Sequence, residues 1–99
     1  MEIKKTENGT ALTIAIEGYL DTRTAKEADV VFQEAAKDYE EIILDLAGTS
    51  YISSAGIRIL RKLQLAMYKK GGRFSMIHLG EEVTRVLEMT GLLDLLKLS

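Results

Sequence analysis

Residues 41–60 read EIILDLAGTSYISSAGIRIL, an apolar run followed by a polar connection and a helix-spaced apolar pattern. Ile42, Ile43, Leu44 and Leu46 form a short, nearly unbroken apolar run. Such a run predicts a strand over residues 41–46, covered on both faces in the middle of a parallel sheet. From Ser54 onward Ile57, Leu60 and Leu63 recur at helical spacing, with Ser53 and Ser54 as candidate N-caps and Ala55-Gly56 permitting close backbone approach. Residues 47–52 are then a connection leaving the carboxyl end of the strand, the edge where open α/β sheets usually bind ligands and partners. Two serine hydroxyls therefore stand at a helix tip whose unpaired N–H groups and dipole favour negative charge. A phosphate would be at home there.

Outward from this stretch the elements follow one another without a break. Residues 3–7 and 10–17 predict a hairpin turned at Asn8-Gly9 in a type I′ turn, with Leu12, Ile14 and Ile16 on one face of its second strand. Residues 18–22 break that alternation. Thr24 and Glu27 have capping-box spacing for a helix carrying Ala25, Ala28, Phe32, Ala35 and Tyr39 on one stripe and ending at residues 37–39. The second helix should stop at Gly71-Gly72, with Lys69 and Lys70 complementing its dipole. A strand over 73–79 follows, then a third helix opened by Glu81 and Glu82, buried through Val83, Val86 and Leu87 and stopped by Gly91. The tail, 92–98, is apolar enough to dock as a last short strand. The order β-β-α-β-α-β-α predicts one α/β domain over 1–99, with a mixed sheet of about four to five strands and helices packed against it.

Composition narrows the function. A chain of 99 residues, 46% apolar and 28% charged, is sized for one core and can bury roughly 60–68% of its unfolded surface. Without cysteine it can hold neither a disulfide nor a thiolate metal site. A net charge of -2 offers no electrostatic draw toward nucleic acid or an anionic membrane. No run nears the roughly 18 apolar residues of a membrane span, and MEIKKTENG lacks a signal-peptide core, so a cytoplasmic location is expected.

Catalytic and cofactor motifs are scarce. Ser54, His78 and Asp45 are the residue types of a nucleophilic triad, but the histidine falls in a predicted strand and no Gly-x-Ser-x-Gly elbow is present. One histidine with scattered carboxylates makes no metal set, and the glycines match neither the dinucleotide fingerprint nor a P-loop. No cofactor is expected. A serine before a helix is ordinarily a cap, worth about 1 kcal/mol. Two features ask for more: the apolar setting of Tyr51, Ile52, Ala55 and Ile57, and the break at Asp21, whose strand should open at the same sheet edge.

DLAGTSYISSAGIRIL resembles the signature of STAS domains, specifically bacterial anti-sigma factor antagonists. Gly18-Tyr19-Leu20-Asp21, Lys70-Gly71-Gly72 and Met89-Thr90-Gly91-Leu92 resemble three further family pieces in family order, so the resemblance covers essentially the whole chain. It implies a non-enzymatic partner switch. The unphosphorylated protein would bind an anti-sigma factor that is also a serine kinase, freeing the sigma factor. Phosphorylation would block that binding, and a PP2C-type phosphatase would reverse it. The family acceptor stands two residues before the glycine, which is Ser54 here. Asp21, Thr22, Ser53, Ser54, Gly56, Ile57 and Arg58 would belong to the docking face of a monomer or weak dimer. The chain departs from the family at Ser53, often Asp, and at Ala55, often Ser or Thr, so Ser53 is a competing hydroxyl. A STAS subunit of an ABC-type lipid transport complex is the alternative within the fold, and a serine hydrolase the alternative outside it.

Overall fold

The computed structural model describes residues 1–91. The strands are β1 (Glu2–Asn8), β2 (Ala11–Leu20), β3 (Glu41–Asp45), β4 (Thr49–Ile52) and β5 (Arg73–Ile77). The helices are α1 (Ala25–Asp38), α2 (Ser54–Lys69) and α3 (Glu81–Thr90). The sheet is mixed: β1 lies antiparallel to β2, while β2, β3 and β5 run parallel in the order β1-β2-β3-β5, with β4 paired to the far half of β2. The expected fold class is therefore observed, and the chain has a fifth strand inside the expected serine connection.

One face of the sheet carries the core. Leu12, Ile14 and Ile16 of β2 and Ile42 and Leu44 of β3 are buried there, joined by Phe32 of α1 and Leu60, Leu63 and Met67 of α2. The opposite face bears the aligned trio Thr13, Ile43 and Ser75, each half-buried. The expectation that β3 is covered on both faces is thus corrected: β3 is central and parallel to both neighbours, but only its even-numbered side chains are fully buried. At roughly 25 cal/mol per Å² of apolar area, the helix-covered face supplies most of the hydrophobic stabilisation.

Turn chemistry departs from the sequence pattern in instructive places. The hairpin loop is Gly9-Thr10, because Asn8 pairs with Ala11, and only Gly9 has positive φ, at 64°. That is the type II′ pattern, glycine first, rather than the expected type I′. The expected box of Thr24 with Glu27 does not form, since Thr24 has helical backbone angles and makes no cap bond of its own. The box lies three residues earlier. Asp21 Oδ1 accepts from the Thr24 N–H at 3.2 Å, and Thr24 Oγ1 accepts from the Asp21 N–H at 2.9 Å. The break predicted at 18–22 is also displaced: β2 continues to Leu20, its Gly18 at φ 105° marking where it changes partner.

The other ends follow expectation more closely. Gly71 and Gly72 close α2 with a Schellman motif, their N–H groups donating to Tyr68 O at 3.1 Å and Met67 O at 2.9 Å. Lys70, expected to serve its own helix, instead donates to the carbonyls of Ala36 in α1 and of Tyr39, its C-cap, at 2.7 and 2.8 Å, so it ties the two helix ends together. β5 stops at Ile77 rather than Leu79, because His78 turns to φ 58°. In α3, Val83 and Leu87 are buried and Val86 is partly so, and Gly91 caps the helix at φ 75°. Among the described residues no helix is long and apolar enough to cross a membrane. The tail strand expected over 92–98 lies outside the described residues.

Candidate functional site

The carboxyl ends of β2 and β4 bring the sequence-predicted residues to one edge. β2 pairs with β3 as far as Ala15 and from Gly18 onward pairs in parallel with β4, setting Tyr19 beside Tyr51 and Leu20 beside Ile52. Three bonds fix this exchange: Gly18 N to Gly48 O at 2.9 Å, Thr49 Oγ1 to Ile16 O at 2.7 Å, and Ser53 N to Leu20 O at 2.9 Å. The last ties the start of α2 directly to the end of β2. Asp21 is the next residue, so the Asp21 turn and the serine tip are neighbours.

The two serines differ in what holds them. Ser53 is the N-cap of α2, with extended backbone angles, and its Oγ accepts from the Gly56 N–H at 3.4 Å. Ser54 is the first helical residue, exposed, and its hydroxyl makes no hydrogen bond among the described residues. Ser53 is thus engaged with the helix, and among the described residues Ser54 is not. Gly56 and Ile57 are buried beneath the tip. A Cβ at Gly56 would lie 2.8 Å from Leu20 O and 3.0 Å from an Ile52 methyl, so glycine there lets α2 rest on the ends of β2 and β4. Arg58, one turn along from Ser54, is exposed and makes no ion pair among the described residues.

The Asp21 turn is rigid and negative. Its Oδ1 also accepts from the Arg23 N–H at 2.9 Å, while Thr24 Oγ1 donates to Tyr19 O at 2.8 Å. The Thr24 N–H first, with lesser help from the Arg23 N–H and guanidinium and the Thr24 hydroxyl, holds the Asp21 carboxyl below its usual range. Thr22 beside it is exposed.

Sequence reasoning did not find the aromatic pair at this edge. Tyr19 and Tyr51 are 58% and 48% exposed, with ring centroids 5.9 Å apart at 70°, an edge-to-face pair. With Asp21, Ser50 and Glu82 they line an open crevice, and Tyr51 and Glu82 continue into a second one beside Arg85 and Val86 of α3. The missing signal was β4 itself. The register slips between Gly18 and Tyr19, leaving Ser50 as the extra residue, so Ser50 and Tyr51 are both exposed and the period of two is lost.

The triad residues are only partly assembled. His78 Nδ1 lies 3.0 Å from Asp45 Oδ1, and the ring first, then the Ala47 N–H, holds the Asp45 carboxyl below its usual range. Neither residue is hydrogen-bonded to Ser54. A nucleophile needs its base within hydrogen-bond reach, and the Ser54 hydroxyl has no such partner among the described residues.

The STAS domain family model matches residues 2–99. Solved structures of similar fold include the Bacillus cell fate determinant SpoIIAA in its phosphorylated form, at 16% identity and a TM-score of 0.77, over 92% of this chain and 85% of that one. An anti-sigma factor antagonist from Mycobacterium paratuberculosis is 21% identical with a TM-score of 0.83, over 92% of this chain and 78% of that one. The STAS domain of a SulP transporter from Vibrio cholerae is 20% identical with a TM-score of 0.70, over 92% and 71%. No curated protein matches the chain in sequence. At such identities the structural likeness speaks for the fold.

Proposed function

The chain belongs to the STAS domain family, and from that premise we propose that it is an anti-sigma factor antagonist working by partner switching in the cytoplasm. Unphosphorylated, it docks on an anti-sigma factor that is also a serine kinase and so releases a sigma factor. The kinase ends the interaction by phosphorylating Ser54, and a PP2C-type phosphatase restores it. The single observation that carries this reading is the Ser54 hydroxyl, exposed and unengaged at the first position of α2 while its neighbour Ser53 serves as the cap.

The chemistry suits the place. The Ser54 oxygen attacks the γ-phosphorus of ATP, the bond to ADP breaks, and the hydroxyl proton passes to a base of the kinase. The product carries roughly −1.5 to −2 charges at pH 7. At a helix N-terminus that charge is tolerated or favoured, by about 0.3–1 kcal/mol, so the domain keeps its fold. Across an interface, a unit charge about 4 Å from a like charge costs roughly 4 kcal/mol at an effective dielectric of 20. That is nearly a thousandfold in affinity. The modification therefore acts on the partner far more than on the domain.

The docking face comprises the exposed Thr22, Ser54 and Arg58 with the half-buried Asp21 and Ser53, and buried Gly56 and Ile57 set its shape from below. The role is regulatory rather than catalytic. A second reading, a STAS unit serving a transport machine such as an ABC-type lipid transporter, is favoured by the likeness to the SulP transporter domain. Incubation with candidate anti-sigma kinases of the same genome and ATP, followed by mass spectrometric mapping, separates the two. Phosphate on Ser54 is expected. Phosphate on Ser53 alone would overturn the site assignment, and none with any kinase would favour the transport reading.

A further inference from the structure

Ser54 and Arg58 are four residues apart in α2, so their side chains share one face of the helix, one above the other. Both are exposed, and the residues between them that face inward, Gly56 and Ile57, are buried. Arg61, the next basic residue on that stripe, is already engaged: its guanidinium donates to Thr90 O at 3.2 Å. Arg58 has no such engagement among the described residues. Behind the tip the Ser53 N–H donates to Leu20 O, so the next residue, Asp21, which lines the crevice with Tyr19, Tyr51 and Glu82, is the neighbouring carboxylate. A phosphate on Ser54 would thus have a carboxylate at the neighbouring turn and, along its own helix, a guanidinium unpaired among the described residues.

We propose that Arg58 is the intramolecular receiver of a phosphate on Ser54, drawing it along α2 and away from the acidic crevice. The inference rests on the reading of Ser54 as the phosphoacceptor. A guanidinium offers parallel N–H donors to phosphate oxygens, and the i,i+4 spacing sets the two groups within reach without moving the backbone. The ion pair has a second effect. The Arg58 N–H donors are then occupied by the phosphate, so they are no longer free to bind a carboxylate of a docking partner. Arg58 is a positioning residue, acting through the phosphate.

The test places phosphoserine at position 54 during translation, so that no kinase is needed, and follows the phosphate by ³¹P NMR from pH 4.5 to pH 8 at low ionic strength. The second ionisation of a free phosphoserine lies near pH 6. In the phosphorylated chain its midpoint should fall below that of the phosphorylated Arg58→Gln variant by about 0.3 pH unit or more. Arg58→Lys should keep at least half of that difference, and Arg61→Gln should leave it intact. The other ionisable groups at this edge, Asp21, Glu82, Arg23, Arg85 and the His78–Asp45 pair, are unchanged in every variant, so their contribution cancels. Equal midpoints in the parent and Arg58→Gln chains, or an equal shift in Arg61→Gln, would overturn the assignment. Because the phosphate is installed without a kinase, that failure would leave the partner-switch reading standing, and absence of any kinase would leave this test readable.

Discussion

Of the described helices that begin at the carboxyl edge of the sheet, α1 and α2 are capped in contrasting ways. At α1 the polar atoms are spent on the turn itself: Asp21 Oδ1 takes two N–H groups, and Thr24 Oγ1 both accepts from Asp21 and donates to Tyr19. At α2 a single long bond from Gly56 to Ser53 does the capping, and the adjoining hydroxyl of Ser54 is left over. A fully satisfied cap is a structural device, since any chemistry performed on it would first break the turn. A spare hydroxyl on an otherwise adequate cap can be modified at little cost to the helix. The proposed switch rests on this difference between the two tips rather than on the presence of serine.

The contrast between the tips can be attacked at its strongest point first. Ser54→Asp should weaken binding to the anti-sigma partner by a hundredfold or more, on the scale of about 4 kcal/mol for a full like-charge contact, with the melting temperature nearly unchanged. Calorimetric titration with a melting curve on the same sample checks both halves, and a large drop in stability would remove the distinction between the tips. Next in size is Gly56→Ala, whose new methyl meets a backbone oxygen at 2.8 Å; urea denaturation should register a loss of about 1–3 kcal/mol. Thr24→Ala removes the reciprocal half of the α1 box and should cost about 1 kcal/mol, whereas Ser54→Ala should stay within about 0.5 kcal/mol. Equal costs for those two would mean that the Ser54 hydroxyl holds its tip together no less than Thr24 does.

The smallest effect concerns acid. Asp21 and Asp45 have folded-state pKa values lowered from an ordinary 3.8, so the stability they contribute is present above that value and is lost as pH falls through the lower, folded values. Both sites are open enough to water that screening keeps the contribution modest. The α2 tip has no acidic residue in its first turn, so its cap should not follow this titration. Amide resonances tracked from pH 5 to pH 2 should show Thr24 moving with Asp21 and Gly56 holding still.

Much of this was legible in the sequence because it depends on local spacing. The hydrophobic period located α1, α2 and α3, glycines marked the stops of α2 and α3, and the serine tip could be placed to within a residue. What escaped depended on pairing. β4 hides because the extra residue Ser50 destroys its alternation, and with it went the Tyr19–Tyr51 pair, which exists only through the partner exchange at Gly18. The Asp21–Thr24 box was missed for a simpler reason. Thr24 with Glu27 offered the same spacing three residues later, and spacing alone could not rank the two.

The partner exchange of β2 has a mechanical consequence. One ten-residue strand is stitched to the core strand β3 by its first half and to the strand bearing the serine tip by its second. The tip therefore cannot fray by itself, since loosening the Ser53–Leu20 bond tugs on a chain segment whose other end is woven into the centre of the molecule. Slow amide exchange at Ser53, on the timescale of global unfolding rather than loop breathing, would be its signature. A partner docking at this edge as proposed would meet a surface already set in shape and would lose little ordering entropy.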